Sequence, residues 1–357
     1  MAVRTTIGWQ ATGANALQCT RVDRRELRAD DVAVRVDYCG VCHTDLQAIE
    51  DYDQHATAPL VPGHEFTGVV IETGPEVTVF SAGDRVAVGN IVDSCGVCDM
   101  CAAGQENFCH SFPTLTYGGT DRQDGSTTLG GFSRECVVRE DFVYTLPSGL
   151  DPAAAAPLLC AGITVWEPLR VLGVGPGSRV AVAGLGGLGH LAVKLAVALG
   201  ATATVISRTE DKREDARRLG AHHLIASTDP EAMATARNSF DVLIDTISAP
   251  HDLAPYLKLV AMDGTLSLLG YLGPIGLEVM DLLVGRKHLS AAGSGGRPAM
   301  AEMLQFCADH RITADVEVLP SAQVHAALDR LRRGDVRYRF VLDLSDLDER
   351  AGGSPAA

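Results

Sequence analysis

The chain has 357 residues, 46% of them apolar, and a formal net charge of −15. This length exceeds one ordinary core and predicts two domains; the apolar share excludes a disordered chain. The acidic balance excludes a phosphate backbone as the main partner, because nucleic-acid binding rests on Lys and Arg neutralising phosphates.

The opening residues, Met1-Ala-Val-Arg-Thr-Thr6, carry no signal-peptide core, and no apolar run reaches the ~18 residues of a membrane span. A soluble, cytoplasmic chain without a membrane partner is therefore expected. In such a reducing compartment ten cysteines do not read as a disulfide framework, so their spacing must separate metal binding from burial. Short β-like runs such as Asp31–Val36 lead to Tyr38-Cys-Gly-Val-Cys-His-Thr-Asp45. Gly63-His-Glu-Phe66 opens a strand-like run to Glu72, and Gly83–Val88 reads as a turn and a strand. Residues 89–130 are rich in Gly, Cys and Asp with little periodicity and read as loops; Gly131–Leu146 returns to strand character.

Composition changes at Asp151-Pro-Ala-Ala-Ala-Ala-Pro157, which carries helix-start signals and a domain boundary. From Ser178 strands and helices alternate. Arg179–Ala183 is a strand; Leu188, Leu191, Ala192, Leu195, Ala196 and Leu199 then share one helical face, which Gly200 ends. Thr204–Ser207, a charged helix Glu210–Leu219 stopped by Gly220, and strands at His223–Ile225, Asp241–Asp245 and Gly264–Leu269 follow. This alternation predicts an α/β domain with a doubly wound parallel sheet. Past about Gly285 the pattern loosens into helices at 299–310 and 321–333 and a strand at Tyr338–Leu344, with a disordered tail expected from Glu349.

Within the alternating part, Gly184, Gly186 and Gly189 form a G-x-G-x-x-G between a strand and a helix, the context a dinucleotide site requires. The first glycine permits the tight turn, the second lets backbone approach a pyrophosphate, and the third lets helix and strand pack closely; Gly187 and Leu188 complete the loop. An NAD site places a carboxylate at the end of the next strand for the ribose 2′-hydroxyl. Here Ser207 holds that position, Arg208 follows, and Lys212 lies close by. A hydroxyl and a guanidinium suit a 2′-phosphate, which a carboxylate would repel. The expected cofactor is therefore NADP(H), with Glu210 and Asp211 as the residues that speak against it.

Cys95, Cys98, Cys101 and Cys109 form C-x2-C-x2-C-x7-C in one loop. Four thiolates at that spacing make a closed tetrahedral zinc site, which holds a loop and leaves no open position for chemistry. An iron–sulfur run would have a last gap of three followed by Pro; here the gap is seven and His110 follows. Cys42, His64 and Cys160 are candidates for a second site. Their spacing alone is a modest signal, and a lone Cys in an apolar stretch, such as Cys160, is more often core. Two cysteines and a histidine are nonetheless a catalytic zinc set with the fourth position open.

These motifs resemble the zinc-dependent medium-chain alcohol dehydrogenases, and within them the cinnamyl alcohol dehydrogenase-like group. The likeness rests on Cys39–Asp45, Val61-Pro-Gly-His-Glu65, the four-cysteine loop, Leu159-Cys-Ala-Gly-Ile-Thr164, Gly184–Gly189 and Gly334-Asp-Val-Arg-Tyr-Arg-Phe340. It implies a GroES-like β-rich catalytic domain from residues 1–153 and 288–357, a Rossmann domain at 154–287, and a homodimer. It also implies two zinc ions per chain: a catalytic one on Cys42, His64 and Cys160, with Glu65 able to approach or replace a ligand, and a structural one on the four cysteines. By the same likeness Asp45 orients His64, Thr44 passes a proton from the substrate oxygen to the ribose, His43 neighbours the cofactor diphosphate, and Thr164 belongs to the cofactor site. Ile91 and Tyr52 are candidates for the substrate pocket, and Cys19, Cys39, Cys136 and Cys307 read as ordinary buried thiols.

One departure concerns the relay. Many relatives carry His three residues after the relay hydroxyl, whereas this chain has Gln47, which cannot gain and lose a proton near neutrality. The implied reaction is reversible reduction of an aromatic, allylic or aliphatic aldehyde to a primary alcohol by NADPH, with zinc acting on the carbonyl oxygen. Three rivals stand beside it: reduction of conjugated C=C or iminium bonds on the same fold, a non-enzymatic zinc-and-dinucleotide sensor, and an NAD-preferring polyol dehydrogenase. Thr44 and Glu65 weigh against the first two, Ser207 and Arg208 against the third.

Overall fold

The computed structural model describes residues 4–55 and 59–351. The chain forms two compact units, Met1–Cys160 with Gly296–Ala357, and Ala161–Gly295. In chain order the first unit contains β1 (Arg4–Gly13), β2 (Ala16–Arg24), β3 (Asp31–Val41), β4 (Phe66–Thr73), β5 (Arg85–Val88), β6 (Ile91–Asp93), β7 (Thr114–Leu115), β8 (Glu135–Arg139) and β9 (Val143–Thr145). The second holds β10 (Arg179–Ala183), β11 (Thr202–Ser207), β12 (His223–Ala226), β13 (Phe240–Asp245), β14 (Val260–Leu268) and β15 (His288–Ala291). The chain then returns to the first unit with β16 (Val316–Pro320) and β17 (Arg339–Asp343).

The first unit is a β structure built around β3. Its sheet runs β16-β17-β3-β4-β5-β9, and β8 also pairs with β3. Val32, Val34, Val36, Cys39 and Val41 of β3 are almost wholly buried, and they meet Phe66, Phe132, Phe340 and Ile49 in one core. β17 pairs antiparallel with the C-terminal half of β3, Phe340 opposite Val41 and Leu342 opposite Cys39, which carries the end of the chain into a sheet begun some three hundred residues earlier. Residues 89–130 are not loop throughout: β6 and β7 pair there, Ile91 opposite Leu115, and a helix forms at Asp99–Ala102. These elements are too short to leave a periodic signal.

The second unit is a parallel sheet in the order β12-β11-β10-β13-β14-β15. Counted from β10 this is 3-2-1-4-5-6, the dinucleotide-binding order, whose direction reverses between β10 and β13. The loop after β10 opens the helix Gly189–Ala198, which is capped at Leu199 and closed by Gly200 at φ +89°.

The unit boundaries fall after Cys160 and after Gly295, beyond the expected 153 and 287. Residues 288–291 are the sixth strand of the parallel sheet, paired to β14 from Thr265–His288 to Leu268–Ala291. The turn Ala156–Leu159 packs against β3, β4, β5 and β17 of the first unit. At the C-terminus the helix Leu347–Ala351 takes in residues 349–351 of the expected disordered tail, and its start is anchored by fully buried Leu347 and by Asp348, which pairs with Arg134 at 2.6 Å. Residues 352–357 of the expected tail lie outside the described residues. Among the described residues no helix is long and apolar enough to cross a membrane.

Phe340 is fully buried between core side chains and lies under the Arg330 guanidinium, 4.6 Å from its ring centre. Phe340→Ala is expected to destabilise the first unit by about 3–5 kcal/mol through lost burial and the cavity left behind, read as a fall in the urea midpoint.

Candidate active site and metal centres

Cys42 is the residue before the helix His43–Glu50, so its thiol sits at a helix N-terminus, where partial positive charge favours a thiolate. Asp45, third in that helix, reaches back to accept the Cys42 N–H at 2.9 Å, a capping-box contact. The same carboxylate accepts the Gly63 N–H at 3.0 Å and lies 3.0 Å from His64 Nδ1, which turns Nε2 towards the sulfurs. His64 Nε2 is 3.2 Å from Cys160 Sγ, and the two sulfurs are 4.0 Å apart. Cys160 gets there from the junction between the turn Ala156–Leu159 and the helix Ala161–Val171. The donor atoms of Cys42, His64 and Cys160 all lie within 4.8 Å of one another. Bonds of about 2.0–2.3 Å to zinc separate donors by roughly 3.3–3.8 Å, so the set needs little adjustment to hold one.

Without a metal, the electrostatics favour the ligand form at Cys42 and keep the protons on Cys160 and His64, which a metal would displace. The Cys160 thiol beside it lowers the Cys42 thiol well below its usual range against the opposing effect of burial, and Arg339 and His64 add to the effect. Cys160 in turn is raised, chiefly by its hydrogen bond with Cys42 and by burial. Burial opposes a charged His64, but Asp45 outweighs it and lifts the ring well above the usual imidazole range. Glu65 follows His64 and is wholly buried. Its carboxylate occupies the space a side chain at Gly40 would need, a Cβ there meeting Glu65 Oε1 at 2.1 Å. Burial pushes its carboxyl up to about 7 despite the buried Arg339, whose guanidinium hydrogen-bonds it.

Arg339 was not singled out from sequence, although its motif was. The available signal is a charge at the start of the apolar run Phe340-Val-Leu342, whose three side chains are buried. Tyr117 was missed as well. Its ring centre lies 5.7 Å from that of His64, and its phenol is held well above the usual range by burial and by the negative charges of Asp45 and Cys42. Glu65 Oε2, Arg339 Nε and the Tyr117 hydroxyl are buried without a hydrogen-bond partner in the protein. Orphaned polar atoms around two thiols and an imidazole mark a pocket built to hold further polar groups.

Cys95, Cys98, Cys101 and Cys109 also converge, with all four sulfurs within 4.8 Å of one another. Backbone N–H groups point at them: Cys98 N to Cys95 Sγ at 3.4 Å, Cys101 N to Cys98 Sγ at 3.5 Å, and Cys95 N to Cys109 Sγ at 3.4 Å. N–H donors stabilise thiolates. They lower Cys95 and Cys98 and outweigh burial at Cys109, whereas burial raises Cys101 to about 11. The donor set is that of a closed zinc site.

In the second unit the glycine loop has the expected geometry. Gly184 takes φ +88°, and a Cβ on Gly189 would stand 2.2 Å from the Gly184 carbonyl oxygen. Gly186 has open space around its Cα, so backbone is exposed there. Ser207 ends β11 and Arg208 is exposed beyond it. Lys212 Nζ donates to the Leu185 carbonyl within the glycine loop at 2.9 Å. The two nearby acids are engaged locally, Glu210 by Arg213 and Asp211 by the Thr209 hydroxyl at 2.9 Å. Thr164 is buried, and its hydroxyl donates to the Gly293 carbonyl at 3.0 Å.

Of the other predicted residues, Thr44 Oγ1 lies 3.7 Å from Cys42 Sγ, at the metal-ligand cluster. His43 and Gln47 are exposed on the same helix. Ile91 is buried in the core of the first unit and Tyr52 packs against it, where apolar packing accounts for both. Cys39, Cys136 and Cys307 are buried thiols; Cys19 is only half-buried, at the edge of that core.

Residues 28–148 match the model of the alcohol dehydrogenase GroES-like domain, and residues 187–309 that of the zinc-binding dehydrogenase. The chain is 46% identical to a probable cinnamyl alcohol dehydrogenase 8A of Oryza sativa subsp. japonica over 95% of each chain. It is 44% identical to NADP-dependent alcohol dehydrogenase C 1 of Mycolicibacterium smegmatis, across 96% of this chain and 99% of that one. Among solved structures, a cinnamyl alcohol dehydrogenase of Sorghum bicolor is 42% identical with a TM-score of 0.92, covering 99% of this chain and 100% of that one.

The Glu65–Arg339 pair is almost free of solvent, so removing one partner strands the other. Arg339→Met is expected to lower stability by roughly 3 kcal/mol at neutral pH. Adding Glu65→Gln to that variant should recover part of the loss, as measured by urea unfolding.

Proposed function

The chain belongs to the zinc-dependent medium-chain alcohol dehydrogenases, in the cinnamyl alcohol dehydrogenase-like group, and from that premise we propose that it interconverts an aldehyde and its primary alcohol by hydride transfer with NADP(H). The observation that carries this reading is the convergence of Cys42, His64 and Cys160 in a chain that also folds a glycine loop at the switch point of a parallel sheet. When bound, zinc supplies Lewis-acid polarisation of the substrate oxygen and NADP(H) supplies or accepts the hydride.

The chain's own residues do the rest. Cys42, His64 and Cys160 would hold the metal, and three protein donors would leave room for substrate or water. Asp45 fixes the tautomer of His64 and the direction of Nε2. The Thr44 hydroxyl, beside Cys42 Sγ, passes the substrate-oxygen proton outward. Gln47, one helical turn on, cannot titrate, so water would carry the proton past it. Glu65, held by Arg339, is the carboxylate that can approach the metal as ligands exchange. The four-cysteine lobe holds the second zinc as a structural clasp.

NADP(H) is favoured over NAD(H) by Ser207 in place of a carboxylate, by exposed Arg208, and by the local engagement of Glu210 and Asp211. Lys212 steadies the loop that faces the diphosphate. A cytoplasmic homodimer completes the proposal. β15 is an edge strand of the parallel sheet, and Leu272, Val279, Met280, Leu283 and Val284 of the same unit are exposed apolar residues that a second copy would cover.

Two sets of variants test the reading. Cys160→Ala and His64→Ala should each abolish NADPH oxidation with benzaldehyde or cinnamaldehyde while NADPH still binds, and zinc content should fall from about two per chain to one. Full rate in either variant removes the catalytic assignment. Reduction of the cinnamaldehyde C=C bond, in place of its carbonyl, would select the rival chemistry on the same fold. For the cofactor, Arg208→Ala should raise the KM for NADPH roughly 10- to 100-fold, the worth of one or two charge-assisted hydrogen bonds, and leave that for NADH unchanged in steady-state assays.

A further inference from the structure

Asp45 is wholly buried, and its hydrogen bonds can be counted. A carboxylate has about four lone-pair sites, two on each oxygen. Oδ1 serves Gly63 N–H and His64 Nδ1; Oδ2 serves Cys42 N–H. One site, on Oδ2, remains. The Tyr117 hydroxyl is a buried donor that completes no hydrogen bond of full geometry, yet Asp45 lies close enough to act on it as a hydrogen-bonding side chain as well as a charge, with Cys42 and Cys160 as the other charges. A buried hydroxyl left unpaired costs about 1–3 kcal/mol, and every charged neighbour named here is an acceptor.

The backbone around Tyr117 is fixed on both sides. Thr116 N–H bonds the Asn90 carbonyl at 3.1 Å, the Thr116 hydroxyl bonds the Gly89 carbonyl, and Gly118 N–H bonds the Thr128 carbonyl at 3.0 Å. The ring is tilted 58° to that of His64 at 5.7 Å. The side chain therefore bears on both members of the Asp45–His64 pair, and it comes from a loop that is remote in sequence from either.

We propose that Tyr117 is a positioning residue for the metal-binding histidine: its hydroxyl donates to the free site on Asp45 Oδ2, and its ring limits rotation of the His64 imidazole. This rests on the reading of Cys42, His64 and Cys160 as a zinc site. The partner of a metal-bound histidine sets that ligand's orientation and basicity, and losing such a contact weakens metal binding by about 10- to 100-fold. Tyr117 acts one step further out, so the lower end of that range applies to the loss of its hydroxyl.

The test is zinc release from the purified, zinc-loaded protein into excess chelator, followed with a zinc-sensitive dye. Wild type should release two zinc ions in separable phases, and Cys160→Ala identifies the phase belonging to the three-ligand site. Tyr117→Phe keeps the ring and should accelerate that phase by about 10-fold, leaving release from the four-cysteine lobe unchanged. Tyr117→Leu, which also removes the ring, should accelerate it further. An unchanged phase in Tyr117→Phe overturns the proposal. So does equal acceleration of both phases, the mark of general loosening. A wild-type protein that releases zinc only from the four-cysteine lobe, in a single phase that Cys160→Ala leaves intact, overturns the proposal together with the zinc reading beneath it.

Discussion

The first unit depends on how one buried carboxylate is satisfied. Asp45 has no exposure, and a charge in that position is tolerated only when its lone pairs are used. It meets this condition by bonding the helix start at Cys42, the loop at Gly63 and the ring of His64. These contacts lie in two segments, at Cys42 and at Gly63–His64, which carry two of the three residues that could hold a metal. Satisfying Asp45 and orienting Cys42 and His64 are thus one event, which places two of the donors by folding alone.

The second buried charge pair is arranged on a different principle. Glu65 and Arg339 come from opposite ends of the chain, and their contact is secured by β17 pairing with β3 next to β4. Burial pushes the Glu65 carboxyl up to about 7 even beside a guanidinium. Gly40 makes the space for it, since any side chain there would meet Glu65 Oε1.

In the second unit backbone geometry does the work that buried charges do in the first. Helix Gly189–Ala198 can reach β10 because Gly189 has no side chain to strike the Gly184 carbonyl. Lys212 then ties the glycine loop to the residues beyond β11 by one hydrogen bond. Sequence spacing revealed the glycines and the missing carboxylate at Ser207. It gave no hint that Glu210 and Asp211, the residues that argued against NADP(H), are held by Arg213 and Thr209.

The amino-acid sequence determined what is local and chemically distinctive. The four-cysteine spacing, the glycine loop between a strand and a helix, and the alternation of the parallel sheet are all short-range patterns with few other uses. Tertiary structure alone decided the rest. It brought Cys160 to His64 and Arg339 to Glu65, put Tyr117 against His64, extended the parallel sheet to β15, and sent Ile91 into the core with Tyr52 packed against it. The physical reason is the same throughout. Charges and sulfurs that are distant in the chain meet only when a sheet closes over them, and a strand as short as β15 is specified by the neighbours it pairs with more than by its own four residues.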